Sequence, residues 1–223
     1  MGKSTGHLAS PMAFSSPQHF ERWDILRMAR AEHHRLKDIM STIVHTPGLS
    51  YRERHALAHQ FLRDASRTTA AEEAVLLPLL RRYSDYLPSA LVERAADRRA
   101  FLKRQLAVLD QAPLSDVSFD AKVSACWIAA VSAFNELDQR LLPLLDRHCP
   151  PQVKTAAGRA FYLYRHLLAP TRPHTLLVPT AGAAGSPLPG NAFGSACSAM
   201  MGALVAPVDW ARDVARWGVA IPV

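Results

Sequence analysis

Apolar residues recur every three or four positions along most of the chain as far as residue 168. Trp23, Ile25, Leu26, Met28, Ala29, Leu36, Ile39, Met40 and Ile43 trace one face over 21–45, the spacing of an amphipathic helix. The TPGLS turn at 46–50 stops that helix, and Ser50 is suited to cap the next, which the pattern extends over 51–84 with Pro78 near its end. DYLPS at 85–89 marks a second break. A third helix is predicted over 89–111, through Leu91, Ala95, Leu102, Leu106 and Leu109. After the loop APLSDVS at 112–118, a fourth covers 119–147 and ends at the CPP of 149–151, and a shorter fifth fits 151–168. No stretch alternates like a half-buried strand. Four long helices joined by short connections predict an all-α, up-down-up-down four-helix bundle with a fifth helix.

The ends read differently. Residues 1–19, rich in Ser, Pro and Gly without periodicity, are expected to be disordered. The bundle is expected over 20–168. Residues 169–223 form a Pro/Gly/Ala-rich C-terminal extension, in which 191–205 and 207–217 are candidates for two short helices packing on the bundle.

Of 223 residues, 49% are hydrophobic and 20% charged, enough for one domain with a substantial core. The net charge is +7 and the pI about 9.7, which favours acidic partners in general. The basic residues are nevertheless scattered along helical segments, without a Lys/Arg block or interleaved aromatics, so no nucleic-acid partner is expected. No uninterrupted apolar run is long enough to span a membrane. Cys126, Cys149 and Cys197 are too widely spaced for a metal or disulfide framework, which together with the absence of a secretory pattern near Met1 leads to the expectation of a cytoplasmic protein.

One pattern is repeated. EEAVLLPLLRR at 72–82 aligns with LDQRLLPLLDR at 137–147, 65 residues later, and EHHRLK at 32–37 lies over RRAFLK at 98–103. Two helical hairpins of one design, facing each other, form a bundle whose shared interior suits a symmetric metal site. With these landmarks the chain resembles hemerythrin-like proteins, also called HHE cation-binding domains, over nearly its whole length from about residue 20. That pattern has a His early in helices 1 and 3. It has His-x-x-x-Glu in helices 2 and 4, upstream of a leucine-aromatic-proline end. APTRPH at 169–174 and VDWARD at 208–213 resemble the C-terminal extension of bacterial members. The resemblance implies two irons held by inward-facing imidazoles and carboxylates.

Most of those ligands are replaced. The helix 1 His falls on His33 and the helix 2 Glu on Glu72. The helix 2 His falls on Thr68, the helix 3 His on Arg99, and the helix 4 pair on Ala133 and Leu137. Arg stays protonated and cannot ligate iron. The neighbours His34, Glu73, Glu136 and Asp138 are one position away, about 100° around a helix, and are not expected to serve. His55 and His59 are expected on a solvated face.

These replacements lead to the expectation of a metal-independent protein with no cofactor, which binds a small organic molecule where the irons would sit. Arg99 would bind a carboxylate, phenolate or enolate oxygen, Glu72 or His33 would move a proton, and Thr68 would orient the ligand. Ala133 would leave room, with Leu137, Trp127 and Phe134 beside it. Such a set suits cofactor-free isomerase, cyclase or lyase chemistry in biosynthesis. The alternatives are a non-catalytic interaction or sensor protein, and an altered metal site handling oxygen, nitric oxide or peroxide. Phe101 and Phe61 are expected in the core, Cys126 as a small buried hydrophobe, and Tyr162, Tyr164 and His166 at one end of the bundle. The small-residue segment FGSACSAMMGALV is a candidate to cover the pocket mouth, to form a homodimer or to touch a membrane surface.

Overall fold

A computed structural model describes residues 23–113 and 116–173, and over these the chain is all-helical, with no strand. The expected N-terminal disorder and the C-terminal extension beyond residue 173 lie outside the described residues. The elements are α1 (Ile25–His45), α2 (Tyr51–Ala71), α3 (Leu77–Arg82), α4 (Ser89–Asp110), α5 (Phe119–Glu136), α6 (Leu142–His148) and α7 (Pro151–Leu163). Five-residue π-helical turns follow α2 at Glu72–Leu76, α5 at Leu137–Leu141 and α7 at Tyr164–Leu168. Each of the five helices predicted up to residue 168 is therefore present, the second and fourth with a widened turn inside them and the fifth ending in one, while the candidates at 191–205 and 207–217 lie outside the described residues.

Local chemistry sets the boundaries. The Asp24 carboxylate accepts the Leu26 N–H at 2.8 Å and caps α1. Gly48 takes φ +85° in the TPGLS turn, a conformation that glycine alone adopts without strain. Ser50 and Glu53 then satisfy each other's free N–H groups in a capping box. Pro151 occupies the first turn of α7, where its missing N–H is not needed.

The repeated LLPLL explains the widened turns. Pro78 and Pro143 lack an N–H, and each ring crowds the carbonyl four residues back. The helix widens ahead of both prolines. The Leu77 N–H bonds the Glu72 carbonyl and the Leu142 N–H bonds the Leu137 carbonyl, five residues back rather than four. The two turns begin 65 residues apart, the repeat distance itself.

The long helices touch in a closed ring: α1 on α2, α2 on α4, α4 on α5, and α5 on α1. α7 lies against α1. Gly158 makes that contact possible, because a Cβ there would sit 1.7 Å from the Trp23 carbonyl oxygen. Two apolar clusters fill the interior. One holds Ile25, Leu26, Ala29, Leu76, Ala95, Leu137, Leu141 and Phe161. The other holds Leu36, Met40, Phe61, Leu62, Leu102, Leu106, Cys126, Ala133 and Phe134. Along α1 the order is Ala29, His33, Leu36; along α4 it is Ala95, Arg99, Leu102. A polar layer therefore separates the two clusters.

Two expectations about packing are corrected. Phe101 is not in the core; it is 44% exposed, with the Arg104 guanidinium over its ring. His55 is not solvated; it is 1% exposed and stacked on Phe119 at 4.6 Å between ring centres, where α2 and α5 bring both rings into the end of the bundle.

Candidate functional site

The polar layer is an ion network drawn from four helical segments. His33 on α1 lies between two carboxylates. Its Nε2 bonds Glu72 Oε1, and its Nδ1 lies 2.6 Å from Asp138 Oδ1. Ionised carboxylates only accept, so both ring nitrogens donate and the imidazole is a cation. Arg99 Nε on α4 donates to Glu72 Oε2 at 2.8 Å. His33, Glu72 and Arg99 are 0–1% exposed, while the Asp138 side chain retains 16% and meets Lys37 Nζ at 3.4 Å.

Geometry and electrostatics agree. Burial alone pushes the His33 imidazole down. The charge of Glu72 and the bonds to Asp138 and Glu72 outweigh it and raise its pKa to about 8. Burial alone pushes the Glu72 carboxyl up. The charges of Arg99 and His33 outweigh that and hold it at about 2. At neutral pH His33 holds the mobile proton, and Glu72 is too weak a base to take one.

Asp138 was not expected here. In a regular helix its side chain turns away from the face that carries Ala133 and Leu137. The π turn at Leu137–Leu141 changes that register, so Asp138 reaches His33 while Leu137 stays buried among apolar neighbours. Of the other neighbouring candidates, the side chain of His34 is 78% exposed and pairs with Asp38, Glu73 pairs with Lys103 Nζ at 2.8 Å, and Glu136 lies 3.4 Å from Arg98.

Thr68 belongs to an adjoining cluster. Its Oγ1 accepts from Arg165 Nε at 3.2 Å, and Arg165 Nη2 also bonds Glu32 at 2.8 Å. Glu32 in turn holds Arg35, which reaches Asp64. Arg165 comes from the turn after α7 and sits on the helix 2 position where the resemblance implies a histidine. Phe134 stacks on His33 with ring centres 4.4 Å apart. Ala133 and Leu137 are buried, in different apolar clusters. Trp127 is half-buried against the far cluster and takes no part in the network. The structure thus joins His33, Glu72, Arg99 and Phe134, adds Asp138, ties Thr68 to Arg165, and leaves Trp127 aside.

The two-iron centre implied by the resemblance does not fit this donor set. Ala133 and Leu137 carry no donor atom, Arg99 occupies one Glu72 oxygen, and the His33 ring stands between the carboxylates of Glu72 and Asp138 so that they do not converge. Among the described residues no three His, Cys, Asp or Glu side chains are arranged to hold a metal ion. Guanidinium groups of Arg99 and Arg165 supply positive charge there instead. One donor is left over. Arg99 Nη2 is buried and has no hydrogen-bond partner among the described residues. No family model, curated protein or solved structure matches the chain.

Proposed function

We propose that the chain is a metal-independent, hemerythrin-like four-helix bundle that binds a small organic molecule at its polar layer. The repeat, the order of landmarks and the closed ring of helix contacts support the fold assignment. The unsatisfied Arg99 Nη2 carries the binding role. A buried donor without an acceptor costs about 1–3 kcal/mol, and a ligand oxygen bound there recovers that loss. His33 stands on the far side of Glu72 from Arg99 and holds a proton at neutral pH. The network is therefore suited to acid catalysis on a bound carbonyl, as in cofactor-free isomerisation or ring closure, with Glu72 moving aside to release an imidazole N–H. Glu72 serves to orient His33 and Arg99 and is not the base.

A second reading, a non-catalytic interaction protein, is favoured by one observation: both Glu72 oxygens and both His33 nitrogens are already engaged, at 0% exposure. Native mass spectrometry of the full chain after incubation with a cell's small-molecule extract separates the two. One bound molecule per chain, lost in Arg99→Lys, is the expected result. An unloaded spectrum supports the second reading, and stoichiometric iron in the purified protein overturns metal independence.

A further inference from the structure

We infer that the molecule bound at Arg99 presents a single uncharged oxygen, such as a ketone or amide carbonyl, and not a carboxylate or phosphate. This rests on the binding role proposed above and narrows its ligand. Two independent observations carry it.

The first is the number of donors available. A guanidinium grips a carboxylate by two parallel N–H bonds from one edge of its plane. In Arg99, Nε is already given to Glu72 Oε2 at 2.8 Å, and Nη1 lies 3.5 Å from the Ala95 carbonyl oxygen. Nη2 has no hydrogen-bond partner among the described residues. The edge that pairs Nε with an Nη is thus blocked at Nε. The remaining edge has one free nitrogen and one turned toward its own helix. One acceptor atom is satisfied there and a two-pronged anion is not.

The second is the charge balance. His33, bonded through both ring nitrogens to carboxylates, and Arg99 supply two positive charges; Glu72 and Asp138 supply two negative ones. The adjoining groups are matched as well, Lys103 with Glu73 and Arg165 with Glu32. Lys37 is a further cation at the rim of the layer, 27% exposed and already paired with Asp138 at 3.4 Å. An anion entering beside Arg99 would meet buried cations, His33 and Arg99, that are already paired with the carboxylates of Glu72 and Asp138, whereas a neutral oxygen leaves that pairing unchanged.

The test uses two probes of one shape, cyclohexanecarboxamide and cyclohexanecarboxylate, with the full chain at pH 7. The guanidinium signals of ¹⁵N-arginine-labelled protein are the readout, with Arg99→Lys identifying the Arg99 signal. The carboxamide is expected to shift that signal saturably and the carboxylate to bind at least tenfold more weakly. Binding is read in unaltered protein, and where Arg99→Lys folds poorly the Arg99 signal is identified by its through-bond connection to the Arg99 backbone. Equal or tighter binding of the carboxylate overturns the inference, as does a spectrum that neither probe moves, in which case a resident water satisfies Nη2. An anionic metabolite found by mass spectrometry removes this inference and leaves the binding role intact. A chain that takes up no metabolite at all removes the role itself.

Discussion

His33 Nδ1 lies 2.6 Å from Asp138 Oδ1 across 105 residues of chain, and this contact joins the charge of Glu72 in holding the buried imidazole as a cation. With Glu72 alone the imidazole would satisfy one carboxylate and keep a bare nitrogen in an apolar interior. With Asp138 as well, it is a doubly bonded cation. Asp138→Asn keeps an acceptor oxygen and removes the negative charge. The His33 pKa is expected to fall from about 8 toward its ordinary 6.5. Imidazole ¹⁵N shifts followed through a pH titration measure it, and an unchanged midpoint would show that Asp138 contributes no charge to the network.

Stability should depend on pH with a sign set by both shifts. The His33 pKa is raised in the folded state, so its contribution is complete below 6.5 and lost as pH rises through about 8. The Glu72 pKa is lowered, so its contribution is complete above 4.5 and lost as pH falls through about 2. The network is thus most stabilising from about pH 4.5 to 6.5. The rise from 6.5 to about 8 corresponds to roughly 2 kcal/mol at the alkaline end. Urea unfolding between pH 6 and 9 should trace that loss, and His33→Gln should flatten it.

Arg99 and Glu72 should be strongly coupled. Arg99→Met alone strands a buried carboxylate and is expected to destabilise by about 3–5 kcal/mol. Adding Glu72→Gln to Arg99→Met removes the stranded charge and should restore much of that loss. A double-mutant cycle by chemical denaturation checks this; additivity of the two changes would mean that the pair does not interact in solution.

α7 is held close by a backbone contact. Gly158→Ala places a methyl group against the Trp23 carbonyl, and the helix must move to admit it. Overpacking of this kind costs about 1–3 kcal/mol. Arg165 follows α7 in sequence, so its bonds to Thr68 and Glu32 should weaken too. Thermal melting reads the first effect. Hydrogen exchange at the Arg165 guanidinium reads the second, and unchanged protection there would separate the two contacts.

The helices and their order were legible because apolar spacing and turn residues act locally. His33, Glu72 and Arg99 were legible as neighbours because the resemblance to hemerythrin-like proteins implies that these positions face one interior. Asp138 was not, since the alignment treats each helix as turning uniformly, and one widened turn moves a residue from the flank to the interior. Its signal was present in the proline of LLPLL, read as a helix end and not as a change of register. Arg165 was missed for another reason. Nothing in the local pattern of α7 says that a cation from a fifth helix fills a position left by Thr68 on the second. The burial of His55 was hidden in the same way, because its cover, Phe119, comes from a distant helix.

Pro143 offers the sharpest test of that register. Its missing N–H and its ring favour the wide turn that brings Asp138 to His33. Pro143→Ala restores the donor and lets the segment close into a regular helix. Alanine is favoured over proline in a helix interior by about 3 kcal/mol, so helix content should hold or rise. Closing the turn rotates Asp138 by about 100° away from His33. The protein should then keep its fold while the His33 midpoint drops below about 8, as in Asp138→Asn. Combining Pro143→Ala with Asp138→Asn should lower it no further. If the midpoint stays near 8 in Pro143→Ala with the carboxylate intact, the apolar packing of Leu137 and Leu141 holds the turn open, and proline is its consequence and not its cause.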